Sequence, residues 1–280
     1  HAPGIDDMAT AAAVSHHLLL SHGWAVPILR QNSPGAEVGI TLNINRMVPA
    51  SRSATDLAVQ RWEDGLWVRW FMDPLYGRHY PADVVAELDA NGAFPDGVLA
   101  FVQPGDLETI AVPTDFLGLN YYNRTIVRSQ RVAEADNLPP TVIAAPQDPD
   151  HWTEMGWENY ADGLFETLAR LTFDYQAPKL YVTENGASYS DGPGADGRVH
   201  DARRIDYLRK HLTAAWRAIQ IGVPLAGYFV WSLLDNFEWA RGYSQRFGLV
   251  WVDYETQERI IKDSGFWYGE AAANHGFAPG

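Results

Sequence analysis

Cysteine is absent from the 280 residues, which excludes disulfide frameworks, Cys-ligated zinc and thiol chemistry and leaves the compartment open. Cationic side chains are few: Lys and Arg number 21 against 35 Asp and Glu, a net charge of −14. Repulsion of that sign argues against phosphate backbones and anionic membranes, so neither nucleic acid nor membrane is expected as a partner. No apolar run approaches about 20 residues, and no segment reads as membrane-spanning. Internal repeats, low-complexity tracts and charge blocks are missing too, as are H-E-x-x-H, G-x-S-x-G and Walker patterns. Gly192-Pro193-Gly194-Ala195-Asp196-Gly197 satisfies a bare G-x-G-x-x-G, but it starts eight residues after Glu184 and carries an acid where pyrophosphate would sit. It reads as a flexible loop. The opening His1-Ala2-Pro3-Gly4 has neither Met nor a signal-like segment, and reads as an interior stretch of something longer.

What is present is an apolar share of 46% with 20% charged residues, the composition of a well-cored globular protein. Helix-period and strand-like stretches alternate, favouring βα units. Met8 to Arg30 reads as a helix with Pro27 near its end, and Ser53 to Met72 as another, with Leu57, Trp62, Leu66 and Trp70 near one face. Asp201 to Ile221 is the clearest helix. Ile205, Leu208, Leu212, Ala215 and Ile219 line one face, while Arg203, Arg204, Arg209 and Lys210 load the rest. Strand-like runs fall at Val38–Ile44, Phe116–Tyr122, Leu180–Thr183 and Leu225–Trp231. They are near-continuous rather than alternating, as parallel strands covered by helices should be. Residues 133–150, rich in Pro and Asp, read as a long surface loop. Four strands cannot close an eight-stranded barrel, so the domain is expected to be half present.

Polar residues sit where such strands end. Asn120 and Tyr122 end one strand, Glu184 and Asn185 the next, and Trp231 leads onward to Asp235 and Glu238. In parallel α/β folds those ends converge on one face, where the chemistry occurs. Asn185-Gly186 is explained by turn chemistry alone. A carboxylate straight after an apolar strand is harder to dismiss, because burial is costly unless it is paired. Of the 11 Trp, those at helical spacings (Trp62, Trp67, Trp70 and Trp216) read as core. Trp157, Trp231 and Trp239 stand beside acids and suit a sugar ligand, whose C–H faces stack on rings while carboxylates take its hydroxyls. His16 and His17 are adjacent on their helix and point apart, so a joint metal site is not expected.

With these residues assembled, the sequence resembles glycoside hydrolase family 1, the β-glucosidase family, over essentially its whole length. Tyr181-Val182-Thr183-Glu184-Asn185-Gly186 resembles the family's I/V-T-E-N-G nucleophile motif. Residues Trp231 to Trp239, reading W-S-L-L-D-N-F-E-W, resemble its glycone motif. Leu119-Asn120-Tyr121-Tyr122 and Met155-Gly156-Trp157 resemble the segment after the sixth strand and the aglycone loop; Ala161 departs from the family's usual Pro. The resemblance implies a (β/α)8 TIM barrel of which residues 1–280 are about the second half, strands five to eight, of a single catalytic domain. It implies Glu184 as nucleophile, Tyr122 as its hydrogen-bond partner and Asn120 as support. Glu238 would hold sugar hydroxyls, Trp231 would floor the ring, Trp239 would reach its hydroxyls, Phe247 would close the wall and Trp157 would stack on the aglycone.

The family's acid/base lies in an N-E-P motif, which this chain lacks, and His1-Ala2-Pro3-Gly4 resembles the loop just downstream of it. An N-terminal half, as a second chain or omitted segment, is therefore the expected partner of a retaining β-glucosidase acting on β-glucosides or cello-oligosaccharides. No metal or organic cofactor is expected, and family analogy implies a cytoplasmic location. The alternatives are a catalytically incomplete sugar-binding fragment and a related specificity such as β-galactosidase or β-fucosidase. A phospho-sugar is disfavoured, because Glu238 would repel it.

Overall fold

The computed structural model describes residues 4–129 and 151–277, so His1-Ala2-Pro3 and the whole of the expected loop at 133–150 lie outside the described residues. The chain divides into two compact units.

The first unit holds α1 (Met8–Asn32), β1 (Gly39–Asn43), β2 (Arg46–Pro49), α2 (Ala54–Asp64), α3 (Trp70–Leu75), α4 (Ala82–Ala90) and α5 (Asp106–Ile110). The start of β3 (Phe116–Asn120) lies beside β1, and β4 (Arg124–Val127) pairs with β2. The Asp7 carboxylate caps α1 by accepting from Thr10 N at 2.8 Å. Ser53 does the same for α2, accepting from Asp56 N. One core cluster joins Ala12, Trp70, Tyr80, Val84, Leu88 and Phe94, with Trp62 and Leu66 packed against it.

The helix expected over 53–72 is interrupted by a π-helical turn at Gly65–Arg69. The wider turn breaks the 3.6-residue period, so Leu57 is left exposed although Trp62, Leu66 and Trp70 pack as expected. Gly65 permits the turn's approach to α4, since a Cβ there would sit 2.4 Å from Val84 Cγ2. Trp67, expected in the core, is 57% exposed and donates its indole N–H to Glu63 at 3.1 Å.

The second unit takes the end of β3, then α6 (Ala161–Phe173), β5 (Leu180–Asn185), α7 (Ala202–Gln220), β6 (Leu225–Val230), β7 (Val250–Val252), β8 (Arg259–Ile261) and α8 (Asp263–Ala273). The end of β3, β5 and β6 are successive neighbours, with β5 and β6 parallel; β7 and β8 form a separate antiparallel pair. Leu180 and Val182 are fully buried, as a strand covered on both faces requires. β6 departs from that expectation: Ala226 and Phe229 are exposed, and β6 ends the strand order among the described residues.

On α7 the buried stripe is Arg204, Tyr207, Leu208, His211, Ala214, Ala215 and Ala218. Ile219 and Trp216 stand outside it, exposed, against expectation. Arg204, expected in solvent, is buried because Asp201 accepts from its Nη1 at 2.5 Å and the carbonyls of Tyr189 and Arg246 accept from Nη2. Neutralised by Asp201 and with both terminal nitrogens bonded, the guanidinium can sit where an apolar residue is otherwise required. The Gly192–Gly197 stretch forms a turn closed by Gly194 N donating to Arg198 O at 2.7 Å. No described helix is long and apolar enough to cross a membrane.

Candidate active site

All the expected site residues fall in the second unit. β5 delivers Glu184 at its end, and the main chain ties it to its neighbours. Tyr121 N donates to Glu184 O at 2.9 Å, and Trp231 N donates to Asn185 O at 3.0 Å. Gly186 is required at this crossing: a Cβ there would lie 1.8 Å from Trp231 O.

The Tyr122 hydroxyl donates to Glu184 Oε2 at 2.6 Å. Burial, then the hydrogen bond to Glu184, pushes that phenol far above its ordinary range. Tyr122 therefore stays protonated at any working pH and remains a donor to the carboxylate. Asn120 Oδ1 accepts from Thr183 Oγ1 at 2.7 Å, which fastens the residue before Glu184 to β3. Three rings stand together around this point: Tyr122 lies 5.2 Å from Trp157, Trp157 6.1 Å from Phe247, and Tyr122 6.2 Å from Phe247.

Glu238 is half-buried. Burial raises its proton affinity, a hydrogen bond with the Trp231 side chain lowers it, and the Glu184 charge raises it again. The two acids and Trp231 are thus close enough to feel one another. Trp239 is the outlier, 72% exposed in a turn at Trp239–Arg241. Its φ of +38° is a left-handed conformation that costs an L residue about 1–3 kcal/mol.

Two features escaped the sequence reading. Asp235 is an ionic hub: Arg246 Nη1 donates to it at 2.7 Å, Lys262 Nζ at 2.9 Å and Gly248 N at 2.9 Å. It anchors the Trp231–Trp239 loop from below and holds the backbone next to Phe247. An acid inside an otherwise apolar W-S-L-L run was the available signal; its partners 11 and 27 residues on were not. Asn185 is no turn residue but the buried last residue of β5, bonded on every side. His16 and His17 do point apart, His16 buried and His17 exposed. Among the described residues no group of three or more His, Cys, Asp or Glu stands arranged to hold a metal.

Acids and amides at the ends of adjacent strands, framed by indoles, mark a (β/α)8-barrel site with the features of carbohydrate recognition. The chain belongs to glycosyl hydrolase family 1, whose sequence profile matches residues 1–277. It is 41% identical over 280 residues to "Beta-glucosidase A" of Acetivibrio thermocellus, covering 99% of this chain and 60% of that protein. It is 42% identical over 289 residues to a "Bifunctional beta-D-glucosidase/beta-D-fucosidase" of Bifidobacterium breve, covering 98% and 60%. Among solved structures, the β-glucosidase of Thermotoga maritima in complex with castanospermine superposes with a TM-score of 0.87 at 40% identity, over 99% of this chain and 60% of that one. The chain thus spans about 60% of the length of these relatives and forms part of their barrel.

Proposed function

We propose that the chain carries the nucleophile and glycone-binding side of a retaining β-glucosidase, as the C-terminal part of a single catalytic domain. The observation that carries the reading is the Tyr122 hydroxyl on Glu184 Oε2 at 2.6 Å, which leaves attack to the other carboxylate oxygen and orients it. That oxygen forms a bond to the anomeric carbon of a terminal β-D-glucosyl residue as the bond to the leaving oxygen breaks. Water then attacks the same carbon, freeing glucose and restoring Glu184. Glu238 accepts hydroxyl hydrogen bonds from the ring, Trp231 lies beneath it, Phe247 walls the pocket and Trp239 reaches its outer hydroxyls. Trp157 stacks on the aglycone.

Retention needs a second carboxyl about 5–5.5 Å from the first, to protonate the leaving oxygen and later to deprotonate water. In this reading that group comes from outside the 280 residues, on the N-terminal part of the same domain, either contiguous or as a second chain. The mechanism calls on no metal or organic cofactor. β-Fucosides and β-galactosides are the nearest alternative substrates; the fucosidase name of one relative favours the former.

A pair of substrates tests the proposal. An aryl β-glucoside with a strongly acidic phenol leaves without protonation, whereas cellobiose does not. The chain alone is expected to release the phenol and leave cellobiose intact, and adding a segment with the N-E-P carboxylate should restore cellobiose hydrolysis. Equal turnover of both by the chain alone would place the acid within it. Release of neither, with sugar still bound, would make it a binding fragment.

A further inference from the structure

We infer that Asn185 is a positioning residue that sets Tyr122 against Glu184. The inference rests on the reading of Glu184 as nucleophile. Successive strand residues face opposite sides, so Asn185 points away from the sugar while Glu184 points towards it. Its side chain nevertheless reaches the backbone that carries Tyr122. Nδ2 donates to Tyr121 O at 2.7 Å and to the Tyr207 hydroxyl at 3.0 Å. That hydroxyl in turn donates to Tyr122 O at 3.1 Å. One amide nitrogen therefore holds the main-chain carbonyls on both sides of the Tyr122 Cα, one directly and one through the Tyr207 hydroxyl. Asn185 Oδ1 accepts from the Tyr228 hydroxyl, which brings β6 into the same knot.

The chemistry allows only asparagine here. The site needs two N–H donors on one atom and an acceptor on the other, on a side chain short enough to lie in a fully buried position. An ionised Asp offers no donor, would leave the Tyr121 carbonyl oxygen facing a carboxylate oxygen and would draw the Tyr207 hydroxyl away from Tyr122 O; Gln is a methylene too long. The supports are neutral as well. Burial pushes the Tyr207 and Tyr228 phenols well up, and burial pulls His211, stacked on Tyr207 at 3.9 Å, down to about 4. No charge change near neutral pH disturbs the knot.

The test compares Asn185→Asp and Tyr207→Phe with the parent chain by two readouts. With tyrosine labelled with 13C at Cζ, the Tyr122 signal is identified by its loss in Tyr122→Phe. In both variants it is expected to move towards the position it takes in Glu184→Gln, where the carboxylate is gone. The pre-steady-state release of an activated phenol should fall about 10- to 100-fold at saturating glucoside, with half-saturation little changed. Cooperative unfolding with an unmoved Tyr122 signal and an unchanged release rate would overturn the inference. Should Asn185→Asp not fold, Tyr207→Phe decides alone. If Glu184→Gln still releases the phenol, the nucleophile assignment fails, and the Tyr122 signal still judges Asn185.

Discussion

In each unit a tyrosine hydroxyl is bonded to a titratable side chain with further polar neighbours, Tyr80 in the first and Tyr122 in the second, and the two arrangements differ in what surrounds them. In the first unit His16 Nδ1 meets the Tyr80 hydroxyl at 2.9 Å and Nε2 meets Asp106 at 3.0 Å. By composition this Asp–His–Tyr chain looks the more catalytic of the two. Yet His16 is fully buried, both its nitrogens are engaged, and Phe101 packs 5.4 Å from its ring. It ties α1 to the start of α5 and to the segment before α4. In the second unit Glu184 is only half-buried, and the groups beside it are an acid, an amide and three rings. A polar relay becomes a site when a reacting atom can reach it, not when its residue types suit a mechanism.

The largest test of that distinction lies in the second unit itself. Asp235 is also a buried carboxylate, but cations enclose it. Asp235→Ala should cost about 3–5 kcal/mol in urea unfolding, because Lys262 is left as an uncompensated buried charge and the half-buried Arg246 loses its ion pair. Burial already lowers the Lys262 proton affinity to about 8. Next in size, His16→Phe should cost about 1–3 kcal/mol by stranding the Tyr80 hydroxyl and Asp106, and should leave aryl-glucoside release unchanged. A loss of release there would collapse the contrast between the units.

Glu238→Gln should weaken glucose binding by about tenfold, through the loss of charged hydrogen bonds, and yet raise the melting temperature at neutral pH. The sign follows from its raised affinity for a proton: between the unfolded value of 4.5 and the higher folded one the native state holds more protons. Stability therefore falls as pH rises through that window, and a neutral side chain removes the penalty. Sugar binding by the parent should correspondingly weaken on the acid side as Glu238 protonates.

The smallest effect belongs to His200, exposed between Asp196 at 3.0 Å and Asp263 at 2.6 Å. The hydrogen bond to Asp263, then that to Asp196, raises its proton affinity. Its stabilisation is fully present below the unfolded value of 6.5 and is lost as pH rises through the folded one. His200→Asn should therefore lower the melting temperature slightly at pH 5.5 and not at pH 9.

Much of this was legible in the sequence. The β5 and β6 boundaries, the long α7 and the grouping of Tyr122, Glu184, Trp231 and Glu238 follow from apolar runs and the two motifs. Leu57, Trp67 and Trp216 were misplaced because period counting assumes an unbroken α-helix and treats every ring as core. Arg204 and Asn185 were misread for a common reason. Their burial depends on partners far along the chain (Arg246 for one, Tyr121 and Tyr207 for the other), and no local pattern announces a hydrogen bond across strands.

The central claim is that Glu184 forms a bond to sugar. The chain should be incubated with a β-glucoside bearing fluorine at C2 and an activated leaving group, which slows release of the glycosyl-enzyme, and then digested for peptide mass analysis. One fluoroglucosyl adduct, on Glu184 and absent from Glu184→Gln, is the predicted result. An adduct on Glu238, or none on a chain that still releases the leaving group, would contradict it.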